Sequence, residues 1–113
     1  MSKRTALTNA PPYAVEQVLK RLGSNLRTAR LRRNQSINDV ARRIGTGNRA
    51  VMDAERGKPG TGAAVYFALL WAYDLLRQMS DVADPAKDEE GMALSGSRLR
   101  ARARAKGRLS NDF

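Results

Sequence analysis

Asn48, Arg49, Met52 and Asp53 stand at spacings of one, four and five residues, which gathers all four on one arc of a helix. These side-chain types can read base edges. Asn bonds an adenine edge through two hydrogen bonds, Arg a guanine edge, Met touches the thymine methyl group, and Asp accepts from cytosine. Each bidentate contact is worth about 1–3 kcal/mol of discrimination between bases. The same residues also have structural uses: Asn48 can cap the helix it begins, and Asp53 can pair with Arg49 or Arg56. Around them lie groups suited to phosphate: Ser36 with the amides that follow it, Arg42, Arg43, Arg56 and Lys58. Contacts of that kind set register on a duplex without reading its sequence.

Other chemistries are poorly provided for. The chain has no cysteine and no histidine, so disulfides, thiol nucleophiles, imidazole acid–base work and the usual zinc ligands are missing. Its densest carboxylate cluster, Asp88-Glu89-Glu90, falls in a segment with few apolar anchors, whereas catalysis needs groups held to fractions of an ångström. No enzyme, no cofactor, no metal and no small-molecule substrate are expected. The formal charge is +10 over 113 residues, which favours a polyanionic partner or serves solubility alone. The charge is blocky: residues 1–60 hold 13 Lys and Arg against 4 Asp and Glu, Asp81–Glu90 holds 5 acids against Lys87, and Arg98–Arg108 holds 6 bases and no acid. Lys3 and Arg4 are followed by Thr, Asn and Pro where a signal peptide needs apolar residues, so a cytoplasmic protein without a membrane span is expected.

The elements that must position these residues are helical. Pro11-Pro12 is a natural helix entrance. After it, Val15, Val18, Leu19, Leu22, Leu26 and Ala29 recur at three- and four-residue spacing and line the inner face of a helix to about Arg33, which Gly23-Ser24 can bend or split. Arg27, Arg30, Arg32 and Arg33 fall opposite, as a basic surface that is merely solvated or has a use of its own. Asn34 suits a left-handed helix end. Ser36-Ile37-Asn38-Asp39 has capping-box spacing and opens a second helix, with Val40, Ala41 and Ile44 inward. That helix stops at Gly45-Thr46-Gly47, and a third follows from about Asn48 to Arg56, with Val51 and Ala54 inward. Two short helices joined by a three-residue turn form the unit that presents a helix to the major groove.

From Thr61 the chain reads Thr-Gly-Ala-Ala-Val-Tyr-Phe-Ala-Leu-Leu-Trp-Ala-Tyr-Asp-Leu-Leu, apolar almost all the way round a helix and too short to span a membrane. A chain this small has little interior to cover every side. Tyr66, Leu70, Trp71 and Tyr73 are therefore expected at a homodimer interface, unless Leu75–Val82 folds back over them. The organisation expected is an arm over 1–12, one domain over 13–83, and a mostly disordered acidic-then-basic tail over 84–113, with room for a turn or two of helix around Lys87–Leu94. Arg98–Arg108 could reach along a DNA backbone, enter a minor groove or only solubilise.

Leu22-Gly23, Leu26-Arg27, Arg30, Ser36-Ile37-Asn38-Asp39-Val40-Ala41, Ile44-Gly45, and Val51 through Glu55-Arg56-Gly57-Lys58 together resemble the Cro/phage-repressor helix-turn-helix family, often called XRE. The resemblance covers residues 22–76. It implies an all-α fold, a four- or five-helix Cro/repressor-like helix-turn-helix domain with a flexible charged C-terminal tail. It also implies a homodimer on a palindromic operator in double-stranded DNA, and repression of transcription. Ile37 stands where the family commonly has a DNA-contacting glutamine, Gln35 where it has an apolar residue, and Gly47 where it has a capping serine. Within the family, the extended first helix, the aliphatic fourth helix running on through Leu75-Leu76-Arg77-Gln78-Met79 and the polar tail resemble HipB-type antitoxins, which partner a HipA-type kinase toxin and autoregulate their operon. A free-standing regulator without a toxin, and a nonspecific nucleic-acid-binding adaptor, are the competing readings.

Overall fold

A computed structural model describes the backbone of residues 5–111 and the side chains of residues 5–107. The described residues form six α-helices and two short 3-10 turns, with no strand among them: the fold is all-α. Packing divides the chain between Arg77 and Gln78.

In the first unit, Thr5 caps a single turn, α1 (Ala6–Asn9). Pro12 occupies the cap position of α2 (Tyr13–Arg32), as the proline pair predicts. The helix runs unbroken through Gly23-Ser24, because Gly23 serves packing and not bending. A Cβ at Gly23 would lie 2.5 Å from the Ala54 carbonyl oxygen and 2.6 Å from that of Glu55. At Gly57, which has φ +69°, a Cβ would lie 2.5 Å from the Leu19 carbonyl oxygen. Only glycine lets these two backbones approach so closely.

Asn34 takes the left-handed conformation at φ 53°, and α3 (Ile37–Ile44) follows. The Ser36 hydroxyl oxygen accepts from the Asp39 amide at 3.1 Å, and the Asp39 carboxylate accepts from the Ser36 amide at 3.4 Å. This is the expected capping box, worth about 1 kcal/mol to the helix start. Gly45, at φ 81°, closes α3. The next helix, α4 (Asn48–Glu55), begins behind Gly47, with no side chain bonding its first amides. The last helix of this unit is α5 (Ala63–Ala72).

The core lies between α2, α3, α4 and α5, where Leu26, Val40, Val51, Leu69 and Tyr73 are almost wholly buried. Each of the aliphatic side chains contributes about 1.5–3 kcal/mol of burial. Two expectations change here. Val15 and Val18, assigned to the inner face of α2, are exposed, Val18 by 66%, because α4 crosses α2 at Gly23 and the first turns of α2 extend past the core. Tyr66, Leu70 and Tyr73, assigned to a dimer interface, are buried within the chain, Tyr73 to 1% exposure. Spaced with Leu69 at three, four and seven residues, they form the inner stripe of α5 and its end, covered by α3 and α4.

In the second unit, Asp84 caps the short turn Pro85–Lys87, and Lys87 pairs with Asp81 at 2.8 Å. The expectation of a mostly disordered tail is corrected: residues 89–111 form a 23-residue helix, α6 (Glu89–Asn111). The Asp88 carboxylate accepts from the Gly91 amide at 2.9 Å, Glu89 and Glu90 occupy the first turn, and cations follow. That order of charge suits the helix dipole, and Ala, Leu, Arg and Lys have high helix propensity. Sparse apolar content argues against a packed core, which this helix does not need. No helix among the described residues is long and apolar enough to cross a membrane.

Candidate nucleic-acid interface

Val51 and Ala54 are wholly buried and fix the inner side of α4. That anchoring turns Asn48, Met52, Arg56, Arg49 and Asp53, in that order around the helix, onto the outer arc. Asn48 and Arg49 are exposed, with 75% of the Arg49 side chain open to solvent. Met52 is half-buried. It shares a shallow depression with Arg27 and Arg30 of α2, Ile37 of α3, and Glu55 and Arg56. Asp53 is half-buried, and its carboxylate lies 3.4 Å from the Arg49 guanidinium and 3.3 Å from the Lys58 ammonium. Of the alternatives for Asp53, the structure shows pairing with Arg49 and adds Lys58, where the sequence suggested Arg56.

Ser36 is exposed at the head of α3, beside Ile37. Its oxygen accepts from Asp39, which leaves the hydroxyl proton available to a further acceptor. Arg56 and Lys58 are exposed. The two adjacent arginines on α3 are both exposed, and the Arg43 guanidinium lies over the Trp71 ring, 5.5 Å from its centroid. Arg43 thus belongs to the outer face of α5. On that face Trp71 is 55% exposed, and Phe67, one turn earlier, is 43% exposed.

Behind the outer arc of α4 stands a buried clamp. Arg30 donates from Nε to one Glu55 oxygen at 2.7 Å and from Nη2 to the other at 3.0 Å, while Nη1 donates to the Gln35 carbonyl at 3.0 Å. The hydrogen bond to Glu55 raises the Arg30 pKa above its ordinary value, outweighing desolvation. Arg33 donates to the Ala29 and Tyr73 carbonyls, both at 2.9 Å, and lies 5.5 Å over the Tyr73 ring. Burial, followed by the Glu55 charge, pushes the Tyr73 phenol up to about 12. Of the row of arginines read as a basic surface, Arg27, Arg32 and Arg33 are exposed and Arg30 is buried; Arg33 also joins α2 to the end of α5, and Arg27 borders the Met52 depression.

Sequence reasoning missed Ile37 and Arg27 as lining residues, and Phe67 as the partner of Trp71. The last was detectable: once Tyr66, Leu69, Leu70 and Tyr73 claim the inner stripe, residues 67 and 71 must share the other side. Comparison with known proteins finds no matching family model, no matching curated protein and no matching solved structure.

Proposed function

We propose that the chain is a non-enzymatic, sequence-specific DNA-binding repressor of the Cro/phage-repressor helix-turn-helix (XRE) class, working in the cytoplasm as a homodimer on a palindromic operator. One observation carries the reading: Asn48 and Arg49 stand exposed on the outer arc of α4, whose other side is held by Val51, Ala54 and the Arg30–Glu55 clamp. A helix of about 10–12 Å diameter enters a major groove about 12 Å wide, and its outward N-terminal residues meet base edges there. Asn48 and Arg49 read directly, Met52 supplies apolar contact beside Ile37, and Asp53 orients Arg49 until a cytosine edge competes for it. Ser36, Arg42, Arg56 and Lys58 hold phosphates, and Arg27 joins them at the edge of the Met52 depression. Phe67 and Trp71 form the two-fold contact between copies.

The particular member of that class we read here is the autoregulating antitoxin of a HipA-type kinase toxin. That step rests on the resemblance over residues 22–76 and on the long α2, whose first turns project beyond the core with Tyr13 and Val18 exposed. Selection of binding duplexes from a randomised pool tests the class. Enrichment of one sequence in inverted half-sites is expected, and a pool that stays random in the presence of high-affinity binding gives the protein to the nonspecific adaptor reading. Recovery of a kinase with the native protein supports the antitoxin, and recovery of operator DNA alone supports a free-standing regulator.

A further inference from the structure

The basic segment of α6 repeats as Arg98-x-Arg100-x-Arg102-x-Arg104-x-Lys106. In an extended chain, alternation of this kind would put every cation on one side. In a helix, two residues turn the chain by about 200°, so the cations split into two flanks. Arg98, Arg102 and Lys106 fall on one, and Arg100 and Arg104 on the other, with about 6 Å of rise between neighbours on each. All of these residues are exposed. No acidic residue occurs between Gly91 and Ser110, and like charges one turn apart weaken the helix that carries them. Between the flanks lie only Leu99 and Ala103 on one side and Ala101 and Ala105 on the other.

The geometry points to α6 as a second duplex-binding element, lying in a groove with Arg98 and Arg102 against one phosphate backbone and Arg100 and Arg104 against the other. A single helix with cations on opposite flanks fits between two walls of negative charge, and the small Ala101 and Ala105 let that side lie deep between them. A membrane surface fits poorly, since such helices need a continuous apolar face. Single strands fit poorly as well: residues 89–111 contain no aromatic side chain on which bases could stack. The choice of duplex over other polyanions rests on the proposed function, and α6 contributes affinity without sequence preference.

Titrating the full chain against random-sequence duplex over a range of salt tests this. The variant R98Q/R100Q/R102Q/R104Q should flatten the slope of log affinity against log salt by about 3–4, close to 0.9 for each phosphate no longer neutralised. A101P keeps every charge but breaks the helix, and should lose most of the same slope. An unchanged slope in the quadruple variant overturns the proposal, and an unaffected A101P overturns its helical form. Equally tight binding to phosphatidylserine–phosphatidylcholine vesicles overturns the duplex as occupant. Loss of slope in a protein with no preference among duplexes sinks the reading of α4 and leaves α6 standing; retained preference with unchanged slope does the reverse.

Discussion

Arg30 and Glu55, 25 residues apart in sequence, meet through two hydrogen bonds of 2.7 and 3.0 Å with both side chains below 10% exposure. The third arm of the guanidinium holds the Gln35 carbonyl at 3.0 Å. One side chain thus joins the end of α4 to the loop that leads into α3. Burying such a pair in place of apolar residues gains little stability, but removing one partner strands a charge and costs about 3–5 kcal/mol. Glu55→Ala is expected to lose that much in urea unfolding, and Arg30→Met with Glu55→Leu to recover most of it. A loss under about 1 kcal/mol for Glu55→Ala would mean that water reaches the guanidinium.

Gly23→Ala sets propensity against packing. Alanine within a helix is better than glycine by about 1 kcal/mol, yet here its methyl group would meet two carbonyl oxygens at 2.5 and 2.6 Å. Backbone cannot move aside as a side chain can, and overpacking costs about 1–3 kcal/mol. Net destabilisation is expected in thermal unfolding. A gain in Tm would show that α2 and α4 lie further apart.

Tyr73 makes stability depend on alkaline pH. Its phenol is pushed up to about 12 in the folded chain, against about 10 when unfolded. The folded state holds this proton more tightly, so its contribution is complete below about pH 10 and is lost as pH rises through about 12. Urea unfolding across that window should show the decline, and Tyr73→Phe should flatten it. Because the Tyr73 hydroxyl is buried without a hydrogen-bond partner, the same change should leave stability at neutral pH equal or higher. A large loss at neutral pH would reveal a partner for the hydroxyl.

Arg49 and Lys58 both approach Asp53 but should act differently on DNA. Arg49→Ala is expected to relax preference at one base position by about 1–3 kcal/mol, while Lys58→Ala weakens all duplexes alike and lowers the salt slope by about 1. Fluorescence anisotropy on the selected operator and its single-base variants separates the two. Identical effects of both changes on every duplex would remove base reading from Arg49.

Trp71→Glu tests the outer face of α5. With 55% of Trp71 exposed, the substitution leaves the core intact and should give folded monomers that bind operator weakly. Sedimentation reads the association state, and an unchanged dimer would place the two-fold contact elsewhere.

Much of this molecule is legible one turn at a time. Pro12 at the start of α2, the Ser36–Asp39 box, and the left-handed Asn34 and Gly45 all depend on dihedral preferences and hydrogen bonds within a few residues. The outer arc of α4 is legible for the same reason, since Val51 and Ala54 fix its rotation. The helix at residues 89–111 is open to local reading too, through Asp88, Glu89 and Glu90 at its start, but low apolar content masks it, because apolar content measures packing and not helix formation. Only the tertiary structure placed Arg30 inside, left Val18 uncovered, and buried Tyr66, Leu70 and Tyr73 while Phe67 and Trp71 stayed exposed. Periodicity marks which residues share a face, but which face is covered, and how far along, depends on the helix that crosses it. Here that was decided by the approach of α4 to Gly23, between residues distant in sequence.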